Sequence, residues 1–291
     1  MPETSSHPAA QPTAQLAIVG TGRLAHALLR TIQNQRVALL SSRSVTSSAK
    51  FFFQAPPLPL ERIAELPFDT LWLAVSDSAI TPVSQLLAGL RQRWDGITVI
   101  HSSGAQSVEI LGPLAGRGAT PMVLHPNASL TGLQKIPEGI TWRIEPGNET
   151  ARRVAERLLE GISPRFVTVP AALLPLYHAA ASLASNLSMT LHAVATELYH
   201  AAGLPPDAAR QTVTRFLQES AERMEGSTLA EALTGPIARG DLEVVRRQLQ
   251  GVKSAMPEMF ALFQQLCRAT VQLRFGQVSQ AWEDVLLGKS E

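Results

Sequence analysis

The sequence is poor in cysteine and lysine, and it has almost no excess of charge of either sign. A single cysteine among 291 residues, Cys267, excludes an internal disulfide and any metal site built from several thiolates. The 25 Lys and Arg residues against 24 Asp and Glu residues give a net charge of +1, which argues against a protein whose main task is to bind nucleic acid. Only four residues are lysines, namely Lys50, Lys135, Lys253 and Lys289, so few positions could carry a catalytic lysine.

Residues 166–196 contain no Asp, Glu, Lys or Arg, which makes a membrane span the first alternative to test. A spanning helix needs about 20 predominantly apolar residues, whereas this stretch holds two prolines, two histidines, three serines and one asparagine. We therefore predict a buried helix and no membrane association. The first 14 residues are polar and lack a hydrophobic stretch, so we predict a disordered tail rather than a targeting signal, and a cytoplasmic protein.

Short apolar runs alternate with helical stretches up to about residue 170. The runs lie at 16–19, 37–40, 70–75, 98–101, 121–124, 140–144 and 166–169. Several are continuous rather than alternating, which is typical of strands buried on both faces of a parallel sheet. The pattern predicts a doubly wound, mainly parallel α/β domain over 15–170 and, where the strand signals stop, an all-α domain over 171–291. The first helix of that second domain is predicted over 171–202, ending at Gly203.

A glycine motif follows the first predicted strand, because residues 16–25 read LAIVGTGRLA. In this G-x-G-x-x-A pattern, Gly20 would allow a tight turn, Gly22 the close approach of a pyrophosphate, and Ala25 close packing of helix on strand. Phosphates then bind the free amides at the start of the helix. The predicted dinucleotide-binding residues here are Gly20, Thr21, Gly22, Arg23 and Leu24, and the alternative is a plain glycine turn.

The end of the second predicted strand favours NADP(H) over NAD(H). NAD-binding proteins place a carboxylate about 20 positions past the first glycine to hold the ribose hydroxyls, whereas this sequence reads SSRS at 41–44. Arg43 could pair with a 2′-phosphate and Ser42 could donate a hydrogen bond to it. A solvated loop arginine is the alternative.

Small polar residues follow three further strands, where ligands of parallel sheets bind. The additional residues predicted to contact the cofactor are Val75, Ser76, Asp77, Ser78, Ser102, Gly104 and His125. Asp77 could instead simply begin a helix. We expect His101, which lies inside a strand pattern, to be a buried and hydrogen-bonded histidine rather than a catalyst.

These motifs resemble a known superfamily. The first half resembles the dinucleotide-binding domain of pyrroline-5-carboxylate reductases, F420-dependent NADP oxidoreductases, ketopantoate reductases and 3-hydroxyisobutyrate dehydrogenases. The whole chain is similar to the Rossmann-like proteins with a helical domain of unknown function, DUF2520. The resemblance covers about residues 15–275 and rests on GTGRLA at 20–25, AVSDSAI at 74–80, HSSGA at 101–105, HP at 125–126, YHAAASLASN at 177–186 and ALTGPIARGD at 232–241. It implies an NADP-binding fold, a helical domain like the C-terminal domain of 6-phosphogluconate dehydrogenase, and hydride transfer, without an established substrate.

The predicted long helix carries a polar stripe, since His178, Ser182 and Asn186 are spaced by four residues. Relatives in the superfamily have Lys-x-x-x-Asn on the corresponding helix, and no lysine of this chain falls there. We hypothesise that His178 is a proton donor or acceptor beside the nicotinamide, with Ser182 and Asn186 orienting the substrate. A hydrogen-bonded contact between helices or subunits is the alternative. Arg239, in a predicted loop, either clamps a substrate carboxylate or phosphate or pairs with Asp241 or a helix end.

The sequence thus predicts an NADP(H)-dependent oxidoreductase that transfers hydride to or from a small polar carbonyl, imine or hydroxy acid. A non-catalytic NADPH-binding sensor or assembly protein is the alternative, because the lysine is missing. Reduced deazaflavin as hydride partner is a third reading. We expect a small-molecule substrate, no nucleic acid, and a homodimer formed through the helical domain. No metal site is predicted, because His192 and His200 lack flanking carboxylates, and Tyr177 is expected only to pack.

Overall fold

The computed structural model describes residues 15–32, 36–41 and 57–289. The tail predicted for residues 1–14 lies outside them. Contacts within the chain divide it into two units, Met1–Ser182 and Leu183–Glu291. The domain boundary expected near residue 170 stays a prediction, and the helix that follows it groups with the first unit.

An eight-stranded sheet organises the first unit. Its strands are β1 (Gln15–Val19), β2 (Arg36–Ser41), β3 (Leu58–Pro59), β4 (Thr70–Leu73), β5 (Thr98–His101), β6 (Thr120–Pro126), β7 (Thr141–Pro146) and β8 (Arg165–Val167). They lie in the order β3-β2-β1-β4-β5-β6-β7-β8, and every neighbouring pair is parallel except β6 with β7. The predicted mainly parallel sheet is confirmed, while the two-residue β3 was not predicted.

Helices cover both faces of this sheet, which makes it doubly wound. They are α1 (Arg23–Thr31), α2 (Asp77–Leu90), α3 (Gly112–Ala115) and α4 (Glu149–Leu159). A fifth helix, α5 (Leu174–Ser182), follows β8 and has Leu174 as its only buried residue. Neighbouring residues of a strand point to opposite faces, so Ile18 packs in one core cluster with Leu28 of α1, and Ala17 packs in the other with Leu87 of α2. Burial on both faces explains why the strands read as continuous apolar runs.

The helix predicted over 171–202 is less regular than expected, and the prediction that it is buried was wrong, since Leu174 is its only buried residue. A 3₁₀ turn (Ala171–Leu173) leads into α5, a π-helix (Leu183–Leu187) follows, and α6 (Ser188–Ala201) completes the stretch. Gly203 follows with a φ of +99°, in agreement with the predicted end. The prediction of one continuous α-helix was wrong in its middle, because π-helical hydrogen bonds join residues i and i+5 and add residues to the turn.

Up to residue 289, where the described part of the chain ends, the second unit continues with helices alone. They are α7 (Pro206–Met224), α8 (Leu229–Ala232), α9 (Gly235–Arg239), α10 (Leu242–Ala255), α11 (Phe260–Phe275) and α12 (Gln280–Leu286). Val245, Val271 and Trp282 bring α10, α11 and α12 into one core. Helix α9 replaces the predicted loop, because Pro236 suits a first helical turn and Gly240, with a φ of +76°, ends it. Among the described residues, no helix combines the length and the apolar composition that a membrane span requires.

Candidate dinucleotide and substrate site

The glycine turn after β1 is held tightly by the neighbouring strands. Gly20 has a φ of +123°, and a Cβ atom there would overlap the carbonyl oxygen of Ala74. Its amide donates to the carbonyl of Leu40 at 3.0 Å, while the amide of Ala74 donates to Val19 at 2.8 Å. The turn is therefore held between the ends of β2 and β4, where only glycine fits.

Gly22 is different, since it is exposed and a Cβ atom there would meet no described atom within 4 Å. It is the N-cap of α1 and offers no side chain to the first amides of that helix, whose first turn carries no acidic residue. Such amides have no partner within the helix and favour an anion. Gly20, Gly22 and the start of α1 thus fit a pyrophosphate, with Thr21, Arg23 and Leu24 on the same turn.

The carboxyl ends of β4 and β5 are joined by side-chain hydrogen bonds. Ser102 Oγ accepts from Trp72 Nε1 and donates to the carbonyl of Leu124, both at 2.8 Å. Ser103 Oγ donates to the Asp77 carboxylate at 2.6 Å. The hydroxyl of Ser102, predicted to contact a cofactor, therefore holds strands together in the structure.

The predicted residues after β4 form the start of α2. Ser76 is the N-cap of α2 and Asp77 is its first residue. This position agrees with both interpretations of Asp77, namely a contact with the cofactor and the start of a helix. Ser76, Asp77 and Ser78 are exposed and Val75 is half-buried. His101 is fully buried, with Nε2 3.0 Å from the carbonyl of Ser107 and Nδ1 accepting from the amide of Ser103. The prediction of a buried, hydrogen-bonded His101 is confirmed.

Two imidazoles converge on Gly104. A Cβ atom built there would lie 2.9 Å from His125 Nε2 and 2.9 Å from His178 Nδ1, which excludes a larger residue without movement of a ring. Tyr177, which precedes His178 in α5, places its hydroxyl 3.0 Å from His125 Nδ1. The expectation that Tyr177 only packs was wrong, because α5 carries its phenol to the end of β6.

Burial makes the imidazole of His125 difficult to protonate. Burial lowers the pKa of His125 to about 4, and electrostatic repulsion from His178 and Arg143 acts in the same direction. Burial likewise raises the pKa of the Tyr177 phenol. Both groups are therefore neutral at pH 7, and their contact is a hydrogen bond between neutral partners.

Arg143 is a buried cation that sequence reasoning missed. It lies opposite His125 in the β6–β7 pair and its side chain is fully buried. The guanidinium donates to the carbonyls of Ser103 (3.4 Å) and Gln106 (3.0 Å) and pairs with the carboxylate of Glu145. It therefore fixes the loop that contains Gly104. The only signal for it in the sequence was the presence of a charged residue inside an apolar run that predicts a strand.

The remaining predicted site residues lie in other parts of the chain. Ser42 and Arg43 lie outside the described residues. Ser182 ends α5, but Asn186 lies in the π-helix and Arg239 ends α9, both in the second unit. The α-helical spacing therefore relates His178 to Ser182 and does not extend to Asn186. In the described ranges, no group of three His, Cys, Asp or Glu residues could hold a metal ion.

The chain matches two family models. Residues 1–126 match the Rossmann-like domain, and residues 140–270 match a domain of unknown function, DUF2520. These matches confirm the resemblance inferred from the motifs. No curated protein matches the chain.

Solved structures share the fold over nearly the whole chain. Protein TM1727 from Thermotoga maritima is 22% identical and has a TM-score of 0.69, with 90% of this chain and 98% of that chain covered. A reductive aminase from Aspergillus terreus in complex with NADPH and ethyl levulinate is 19% identical, with a TM-score of 0.62 and coverage of 95% and 99%. The pyrroline carboxylate reductase of Plasmodium falciparum with NADP bound is 12% identical, with a TM-score of 0.56 and coverage of 90% and 98%.

Proposed function

We propose that this chain, which joins a Rossmann-like domain to a DUF2520 domain, is an NADP(H)-dependent oxidoreductase. Its substrate is a small polar carbonyl, imine or hydroxy acid. The observation that carries the proposal is the glycine turn, where Gly20 is pressed against Ala74 while Gly22 leaves space at the uncapped start of α1. The reductase and aminase structures named above, which contain NADP or NADPH, support the same cofactor class.

The preference for NADP(H) rests on the sequence after β2. Strand β2 ends at Ser41, and the next residues, Ser42 and Arg43, offer a hydroxyl and a guanidinium but no carboxylate. A guanidinium pairs with a phosphate, whereas a carboxylate would repel it. We therefore assign Arg43 to the 2′-phosphate.

The side chains at Gly104 are suited to proton transfer beside a hydride acceptor or donor. Bound NADPH would supply the hydride. His178, exposed and directed at Gly104, would give a proton to the reduced group or take one from the oxidised group. Ser182, Asn186 and Arg239 are proposed to orient the substrate's polar groups. We also propose a homodimer through the helical unit, since α6 has no buried residue within the described structure.

A non-catalytic NADPH sensor is the second candidate. It is favoured by one observation, namely that none of the four lysines lies on α5, the π-helix or α6. Such a protein would keep the glycine turn and bind the nucleotide without turnover.

Titration of the purified protein with NADPH and NADH tests the cofactor, and a panel of ketones, imines and hydroxy acids tests the activity. We expect tighter binding of NADPH, a loss of that preference in Arg43→Ala, and turnover that His178→Ala abolishes while NADPH affinity survives. Absence of affinity for both nucleotides would refute the proposal. Binding without turnover across the panel would favour the sensor.

A further inference from the structure

The cluster around Gly104 contains a hydrogen bond whose direction determines what His125 can bind. His125 Nδ1 lies 3.0 Å from the Tyr177 hydroxyl, and its Nε2 lies beside Gly104. The two rings meet edge to face at an interplanar angle of 77°. One nitrogen is thus engaged by Tyr177, and the other is directed at the space that His178 also faces.

The phenol is the donor in this pair for chemical reasons. A neutral imidazole has one N–H and one lone pair on its two nitrogens. A phenolic O–H is a strong donor and its oxygen a weak acceptor, while the imidazole lone pair is a strong acceptor. The hydrogen bond is therefore best made with Nδ1 accepting, which leaves the proton on Nε2. Burial, which lowers the pKa of His125, keeps the ring in this neutral form.

Arg143 and Gly104 keep this donor in place. Arg143 holds the carbonyls on either side of the Gly104 loop, at Ser103 and Gln106. Gly104 lacks the Cβ atom that would displace His125 Nε2. The Nε2–H group is therefore a fixed donor, comparable in principle to the neutral histidines that polarise carbonyl groups in other enzymes.

We propose that Tyr177 is a positioning residue that holds His125 as the Nε2–H tautomer, and that this N–H donates a hydrogen bond to the carbonyl oxygen of the substrate. The inference rests on the proposed function and favours aldehydes and ketones over iminium ions as substrates. A carbonyl oxygen has lone pairs that accept this bond. The nitrogen of an iminium ion has no lone pair that could accept this bond. In the proposed tautomer Nε2 carries a proton, so it has no lone pair directed at the positive charge.

The tautomer is measured directly by NMR of protein labelled with ¹⁵N in its histidines, with His125→Gln used to assign the resonances. We expect the nitrogen shifts of His125 at pH 7 to show Nε2 protonated and Nδ1 unprotonated. Tyr177→Phe should remove the preference, giving averaged shifts, while thermal unfolding confirms that the variant folds. Tyr199→Phe changes the only other tyrosine and should leave His125 unaffected. An Nδ1–H tautomer in the unaltered protein overturns the positioning role, as does an unchanged tautomer in Tyr177→Phe.

The substrate class is tested with two probes of similar size, cyclopentanone and the N-methyl-1-pyrrolinium cation, each added with and without NADP⁺. We expect cyclopentanone to shift the Nε2–H resonance of His125 and the cation to leave it unchanged. Replacement by His125→Leu should lower kcat/KM for ketones by roughly 10–100-fold, and His125→Gln, which keeps an N–H donor, should recover part of the loss. The carbonyl assignment is overturned if only the cation shifts this resonance, or if neither probe shifts it.

The two proposals fail in different ways. If no pyridine dinucleotide binds, the proposed function fails, while the tautomer measured in the free protein still decides the role of Tyr177. If NADPH binds and is oxidised but His125 carries its proton on Nδ1, only the present inference fails.

Discussion

The backbone of Gly20 lies so close to the carbonyl oxygen of Ala74 that a Cβ atom on Gly20 would overlap it. Backbone hydrogen bonds fix both partners, since Gly20 is tied to the end of β2 and Ala74 to the end of β1. The turn is thus part of the sheet rather than a separate loop. Gly22, two residues later, is free of such contacts, so the two glycines can be tested against each other.

The variant Gly20→Ala is expected to destabilise the fold, because it forces a side chain into the strand junction at a φ of +123°. We expect a loss of about 3 kcal/mol in the free energy of unfolding. Gly22→Ala has room for its methyl group and a φ of −86°, so its unfolding free energy should change by no more than about 1 kcal/mol. Its methyl group would instead obstruct the pyrophosphate and weaken NADPH binding roughly tenfold or more.

Chemical denaturation and nucleotide titration of both variants check this pair. If Gly22→Ala binds NADPH as tightly as the unaltered protein, the pyrophosphate does not lie against this turn.

The sequence predicted those parts of the fold that depend on neighbouring residues. Continuous apolar runs marked the strands, and the glycine motif marked the turn, because each is a local requirement of a parallel sheet. Tyr177 and His125 are far apart in the chain, and their contact depends on where α5 lies, which periodicity does not determine. Arg143 was missed because its carbonyl partners, Ser103 and Gln106, follow a different strand, β5. The π-helix was missed because no composition signal distinguishes Leu183–Leu187 from an α-helix.

Arg143→Met is expected to destabilise the loop around Gly104. It leaves the carbonyls of Ser103 and Gln106 without their donor and the carboxylate of Glu145 unpaired. Removal of one partner from a buried ion pair costs about 3 kcal/mol or more. Arg93→Met breaks an exposed pair with Asp95 and should have little measurable effect on stability. Urea denaturation decides the matter, and equal stability of the two variants would contradict the importance assigned to Arg143.

Exposed apolar side chains on α6 lead to a prediction about assembly. Met189 is 67% exposed although it lies in an uncharged stretch, and contiguous apolar surface marks an interface. Met189→Lys is expected to convert a homodimer into a monomer in sedimentation experiments, because a lysine would have to lose its hydration in the interface. Met224→Lys, near the end of α7, is the matched control and should remain dimeric. A monomeric unaltered protein would contradict the proposed dimer.

Stability should depend on pH through the buried His101. Its pKa in the folded protein is lowered to about 4, chiefly by burial and further by the charge of Arg143, while Asp77 and the hydrogen bond to Ser107 oppose this shift. The unfolded chain has the ordinary value of about 6.5. Between these values the unfolded state binds a proton that the folded state does not, so stability is complete above about pH 6.5 and falls as the pH decreases toward 4.

The lowered pKa of His101 is expected to reduce the free energy of unfolding by up to about 3 kcal/mol at pH 4, since each pKa unit corresponds to about 1.4 kcal/mol. Carboxylates titrate below about pH 5, so the slope of unfolding free energy between pH 6.5 and 5 is the informative measurement. His101→Gln keeps an N–H that can donate to the Ser107 carbonyl and removes the titration of residue 101, so it should reduce this slope, while His125, whose pKa is also lowered to about 4, keeps its own contribution. His200→Gln, at an exposed position on α6, should leave the slope as it is. An identical slope in protein with and without His101 would mean that its imidazole is protonated as readily in the fold as in the unfolded chain, which burial of the ring does not allow.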